Sequence, residues 1–198
     1  MGFPMGPVTP TGDGGYWQKF QSGYIIGKPG TGYWESKGAI RGRWTTLGYQ
    51  SGTLGYPTGP EAYAGNNAYY QTYQKGTIFW SKATGAWESY GPVRDRWIAL
   101  GSQTGVMGFP MGAVYPTGDG GYWQKFQSGY IIGKPGTGYW ESKGGIRKHW
   151  TKLGYQTGSM GYPTSGELYD SSLKAYYQLY EHGKIFYQSS PAKAWVEQ

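Results

Sequence analysis

The sequence predicts a strand-rich α+β fold of tandem repeats, each a small three-stranded antiparallel sheet followed by a short helix, set in a ring or arc. Three observations carry that expectation. Met-Gly-Phe-Pro at Met1–Pro4 returns as Leu-Gly-Tyr-Pro at Leu54–Pro57, Met-Gly-Phe-Pro at Met107–Pro110 and Met-Gly-Tyr-Pro at Met160–Pro163, a period of 53 residues. The same period links Trp34, Trp87 and Trp140, and also Trp44, Trp97 and Trp150. With 37 Gly, 10 Trp and 21 Tyr in 198 residues, the composition suits short strands, tight turns and a core of large rings rather than Leu-lined helices.

The elements follow in chain order. Tyr16–Phe20 alternates as a strand and Gly23 permits a turn. Tyr24–Gly27 and Gly32–Ser36 flank a Lys-Pro-Gly-Thr turn at Lys28–Thr31, completing a three-stranded meander. The period then changes from two to helical. Ile40, Trp44 and Leu47 stand at i, i+4 and i+7, as do Val93, Trp97 and Leu100, and Ile146, Trp150 and Leu153, so each set forms one apolar stripe on a helix ending at Gly48, Gly101 or Gly154. The three helix Trp are expected in the core at junctions between repeats. Repeats span 1–53, 54–106, 107–159 and 160–198, the last without a helix, and together they are expected to form one compact domain. Repeats one and three share 45 of 53 positions, whereas two and four form a second pair, giving the order A-B-A-B.

Composition narrows the function classes. With no Cys there is neither a disulfide framework nor a thiolate metal site, and no run approaches a transmembrane helix. The net charge of +7 comes from singly scattered residues, which reads as a solvated basic surface rather than a nucleic-acid track. His149 and His182 occupy non-equivalent positions, and no triad or His-cluster spacing exists. Asp residues are isolated, so no metal and no cofactor is expected. A glycosidase pair such as Asp13 with Glu35 would have to appear twice in tandem, which argues against catalysis.

The tetrapeptides, the aromatic-x-x-aromatic strand ending in Gly (Trp17, Phe20 and Gly23; Tyr70, Tyr73 and Gly76), the triplet Ile78-Phe79-Trp80 and the helix with Trp before Leu-Gly resemble the LGFP tandem repeats. The likeness covers nearly the whole chain. Members of that family are modules joined to bacterial cell-envelope enzymes such as mycolyltransferases and amidases, where they hold the enzyme to wall arabinogalactan. The resemblance therefore implies carbohydrate binding and an extracellular or cell-surface location. A repeats depart from the pattern by carrying Ile26-Gly27 and Ile132-Gly133 where B repeats carry Phe79-Trp80 and Phe186-Tyr187.

Sugars are held by aromatic faces against C–H surfaces and by polar side chains that bond several hydroxyls. The segment Thr11–Lys19, repeated at Thr117–Lys125, offers both. Alternation sets Tyr16, Gln18 and Phe20 on one face and Trp17, Lys19 and Gln21 on the other, so the candidate sugar ligands are Asp13, Tyr16, Trp17, Lys19 and Gln21, with Asp119, Tyr122, Trp123, Lys125 and Gln127 in repeat three. Two readings stand side by side: that site, or a plain Asp13-Gly14 turn with Trp17 packed on the next repeat. In the B repeats Asn67 and Tyr69 mark a weaker amide-lined site. Trp34, Trp87 and Trp140 read as structural because A and B repeats share them. The function classes are thus a non-catalytic lectin for cell-wall or surface glycans, a basic aromatic binder of polyanions or nucleic acid, and, third, a glycoside-active enzyme.

Overall fold

The computed structural model describes residues 1–197. In repeat one, strands β1 (Thr9–Pro10), β2 (Tyr16–Phe20), β3 (Gly23–Lys28) and β4 (Gly32–Ser36) precede helix α1 (Gly38–Thr46). Repeat two supplies β5 (Ala62–Gly65), β6 (Ala68–Tyr73), β7 (Gly76–Ser81), β8 (Gly85–Tyr90) and α2 (Gly91–Ala99). Repeat three supplies β9 (Pro110–Pro116), β10 (Tyr122–Phe126), β11 (Gly129–Lys134), β12 (Gly138–Ser142) and α3 (Gly144–Lys152). Repeat four ends the described chain with β13 (Leu168–Asp170), β14 (Ala175–Tyr180), β15 (Gly183–Ser189) and β16 (Ala192–Glu197).

Each sheet is an antiparallel meander of four strands, not three. The additional strand lies at the edge and begins before the alternating segment. In repeat one it is two residues long and contains Pro10, which an edge tolerates because its outward side needs no N–H. The tetrapeptide extends that edge. Gln21 N–H donates to the Phe3 carbonyl at 3.1 Å, Gln74 N–H to Tyr56 at 3.0 Å, and Glu181 N–H to Tyr162 at 3.0 Å. The Gly-aromatic-Pro motif is therefore strand-like backbone beside β2, β6 or β14 rather than a turn.

The helices end where the sequence predicts. Leu47 closes α1 and Gly48 follows at φ 89°, the left-handed position that a C-terminal glycine serves; Gly101 and Gly154 repeat it at 92°. Trp44, Trp97 and Trp150 are at most 1% exposed. Each indole N–H donates to the glycine carbonyl of the tetrapeptide eleven residues on: Gly55 at 3.0 Å, Gly108 at 2.9 Å and Gly161 at 3.1 Å.

The chain gathers into two compact units, one of Met1–Gly91 with Phe109–Ala113 and the other of Pro92–Gly108 with Val114–Gln198. In the first, α1 is sandwiched: Ile40 and Trp44 meet Ile26 of the sheet before and Tyr73 and Ile78 of the sheet after, with Leu54 and Tyr56 closing the cluster. In the second, Ile146 and Trp150 stand between Ile132 and the pair Tyr180 and Ile185. Buried glutamines stitch successive sheets together, since the Gln71 amide donates to the carbonyls of Glu35 (2.8 Å) and Gly59 (3.0 Å), and Gln178 does the same to Glu141 and Ser165, both at 2.8 Å. Arg43 forks onto Glu88 at 2.6 and 3.0 Å while lying over Trp87, and Arg96 holds Glu141 at 2.7 Å over Trp140. The Trp87–Glu88 and Trp140–Glu141 pairs are thus helix-docking stations.

Candidate functional site

The Thr-Gly-Asp-Gly loop does not present its carboxylate to solvent as a lone ligand. Asp13 accepts from the Thr11 hydroxyl at 2.6 Å and from the Tyr56 phenol at 2.5 Å, and Lys28 lies 3.4 Å away. Asp119 repeats this with Thr117 (2.6 Å) and Tyr162 (2.7 Å). Donated hydrogen bonds stabilise the ionised form, so both carboxyls are held below the ordinary Asp range, with the Thr bond the larger cause and the Tyr bond next. Burial, with a contribution from Asp119, pushes the Tyr162 phenol up to about 12. These loops clasp the aromatic residue of the following tetrapeptide.

The remaining predicted residues separate. Gln21 stands just past β2, where its side-chain oxygen accepts from the Phe3 N–H at 3.0 Å, and Gln127 lies against Gly108 as Gln21 does against Gly2. Lys19, Lys125, Tyr16 and Tyr122 are exposed. Asn67 sits with Asn66 at the β5–β6 hairpin tip, both at positive φ (55° and 51°), as a two-residue hairpin requires. Tyr69 is exposed at the margin of the face its sheet turns to α1, edge-on to Tyr63 at 5.5 Å and tilted to the half-buried Trp80 at 6.2 Å.

Trp17 and Trp123 alone enter a cleft. Trp17 pairs across β3 with Ile26, and Lys19 with Tyr24, so the alternation places Trp17 and Tyr24 on the face turned toward α1. There Arg41 of α1 and Tyr49 and Gln50 of the 3₁₀ turn after Gly48 close a cleft of about 400 Å³ over the Ile26 floor. Repeat three builds the same cleft, about 320 Å³, from Trp123, Tyr130, Ile132, Arg147, Tyr155 and Gln156. Both lie at the small end of the roughly 300–1,000 Å³ typical of ligand clefts. The guanidinium of Arg41 lies 3.7 Å from the Tyr24 ring centre and 5.6 Å from that of Tyr49; for Arg147 the distances to Tyr130 and Tyr155 are 3.6 and 5.7 Å. Trp17 meets Tyr24 at 5.7 Å with planes tilted by 52°. Tyr49 and Tyr155 hold left-handed backbone, φ 55° and 58°, a conformation bulky side chains rarely adopt. That turn aims their rings at the cleft.

Sequence reasoning missed Tyr24, Arg41, Tyr49 and Gln50. A signal existed in the contrast between repeat types: repeat two has Thr77, Arg94 and Ser102 where repeat one has Tyr24, Arg41 and Tyr49. At the positions of Trp17 and Ile26, the B repeats place Tyr70 stacked on Phe79 at 5.3 Å and Tyr177 stacked on Phe186 at 5.4 Å. No carboxylate lines either A cleft. Among the described residues no group of three or more His, Asp or Glu could hold a metal ion, and no helix is long and apolar enough to cross a membrane.

Comparison with known proteins bears on this arrangement. The LGFP repeat model matches residues 1–52, 54–105 and 107–158. No curated protein matches the chain. Among solved structures, the extracellular domain of a putative one-component system from B. thetaiotaomicron is similar over 96% of this chain and 30% of its own, at 10% identity and a TM-score of 0.22, a likeness too remote to carry structural argument. This chain spans less than a third of that protein's length. The chain belongs to the LGFP repeat family.

Proposed function

Taking membership of the LGFP repeat family as the premise, we propose that the chain is a non-catalytic carbohydrate-binding protein whose sites are the two A-type clefts, acting outside the cell on wall or surface glycans. The observation that carries this reading is the pairing, in each cleft, of Trp and Tyr rings with the Arg and Gln side chains, since a pyranose offers C–H faces to rings and hydroxyls to polar groups. A hydrolytic role lacks support because the carboxylates weighed for it, Asp13 and Glu35, are committed elsewhere: Asp13 to Tyr56, and Glu35 to the Glu61 N–H at 3.1 Å. Asp13 and Asp119 act as clasps that set the sheets, and Trp17 and Trp123 act as ligand walls.

Two near-identical clefts on one chain make the protein divalent. Single-sugar affinity is expected in the millimolar range, and a polymer long enough to engage both clefts gains roughly 10²–10⁴-fold in avidity. The test is a glycan array followed by calorimetry on the best ligand. Tyr49→Gly and Tyr155→Gly remove the ring while relieving the left-handed backbone, so the fold is retained. One substitution should halve the stoichiometry and both should abolish binding. Undiminished binding by the folded double variant would move the sites away from the clefts, most plainly to the exposed Tyr63–Tyr69 pair.

A further inference from the structure

We propose that the A-type clefts select a pyranose bearing a carboxylate, with Arg41 and Arg147 as the carboxylate anchors; this rests on the clefts being the sugar sites. Four of the five Arg side chains of the helices can be compared directly. Arg43 and Arg96 each hold a buried glutamate at 2.6 and 2.7 Å. Arg41 and Arg147 form no ion pair with any carboxylate among the described residues. Their surroundings are phenol rings instead, and both are partly withdrawn from water. For Arg147 this withdrawal pulls the guanidinium below its ordinary range, burial being the largest cause.

A cation removed from water without a counter-ion is unfavourable unless another group compensates it. Ring faces compensate part of that cost. They cover the flat side of a guanidinium; Arg147 also hydrogen-bonds Tyr130, and the remaining in-plane N–H groups form the edge that matches a carboxylate. The cleft then divides its work chemically. The fork takes the carboxylate, Trp17 or Trp123 covers the C–H face of the ring, and Gln50 or Gln156 with the phenol groups meets hydroxyls. A neutral sugar would leave the fork facing a hydroxyl, which returns far less.

The B repeat supplies an internal contrast. Arg94 stands where Arg41 does, yet Thr77 and Ser102 replace the two Tyr, and Phe79 replaces Ile26. The aromatic sandwich and the open floor are lost together there, as expected if they serve one ligand.

The decisive experiment needs no variant. Oligomers of glucuronate and of galacturonate are titrated into the wild-type chain by calorimetry at fixed salt, each beside its carboxyl-reduced form, in which only the carboxylate has become a hydroxymethyl group. The acid forms should bind at two sites, and reduction should weaken them about ten-fold or more, the range of a hydrogen bond to a charged group. Arg41→Gln with Arg147→Gln should erase that difference, so that acid and reduced oligomers bind alike, and Arg41→Lys with Arg147→Lys should recover it only in part because the fork is gone. If acid and reduced oligomers bind equally, the carboxylate inference falls and the sugar reading stands. If the chain binds neither these nor any array glycan, both fall. Tighter binding of a sulfated sugar than of either uronate would overturn the carboxylate in favour of sulfate.

Discussion

The A and B sheets share one backbone plan and differ in what that plan encloses. In repeat one, Ile26 and Trp17 leave room under a lid of Arg41 and Tyr49, whereas in repeat two Phe79 and Tyr70 stack at 5.3 Å with their planes 21° apart and occupy the equivalent positions with two rings. No loop is inserted or lost between Leu54–Pro57 and the second helix relative to repeat one, since the 53-residue spacing is kept. A cleft is therefore opened or filled on this scaffold by a few side chains, with the order and spacing of strands and helices kept.

The comparison breaks most completely when the shared scaffold goes. Trp150→Ala, and equally Trp44→Ala, should cost about 3–5 kcal/mol, because a buried indole and its bond to a glycine carbonyl are both lost. Denaturant titration measures this, and a loss below about 1 kcal/mol would contradict the junction packing. Next comes the docking ion pair. Glu88→Ala leaves Arg43 without its carboxylate beside a buried wall and should cost about 3 kcal/mol, read the same way.

The sharpest test of the A–B difference is a graft. Trp17→Tyr with Ile26→Phe copies the Tyr70–Phe79 pair into repeat one and should halve the binding stoichiometry while lowering stability by only about 1–2 kcal/mol, the usual range for repacking a core. Full stoichiometry in calorimetry would show that side-chain filling does not decide binding. The smallest effect expected is in acid. Asp13 and Asp119 have folded pKa values depressed below those of the unfolded chain, so they stabilise the fold above about pH 4 and that contribution fades as pH falls further. Asp13→Asn with Asp119→Asn should flatten the melting temperature against pH between about pH 5 and pH 2, where the wild type declines more steeply. Parallel profiles would remove the clasp from the account.

Much of the scaffold is legible in the sequence because it is local and periodic. The Trp44 stripe, the Gly48 stop and the β2–β3–β4 meander all follow from residues within a few positions of one another. The fourth strand is hidden because β1 is two residues long, contains Pro10 and has no alternation. The candidate site is legible only at Trp17 and Trp123. Asp13 looks like a solvent-facing ligand until the fold brings Tyr56, 43 positions away, onto its oxygen. Arg41 escapes notice because a helical stripe is read from its apolar members, and Tyr49 because a residue following a helix stop is ordinarily counted as linker. Their convergence on Tyr24 is a product of the fold and not of spacing.

The bond from each helix Trp to the glycine carbonyl eleven residues later places the seam of this architecture somewhere other than the motif that makes it recognisable. A break between Trp44 and Leu54 severs a helix from the tetrapeptide it is fastened to, whereas a break in the Lys28–Thr31 hairpin cuts an exposed turn between strands that remain paired. For anyone joining, shuffling or permuting these modules, the natural cassette therefore runs from one sheet's hairpin to the next. Chains spliced there inherit intact helix fastenings, and every added A–B pair brings one more complete cleft.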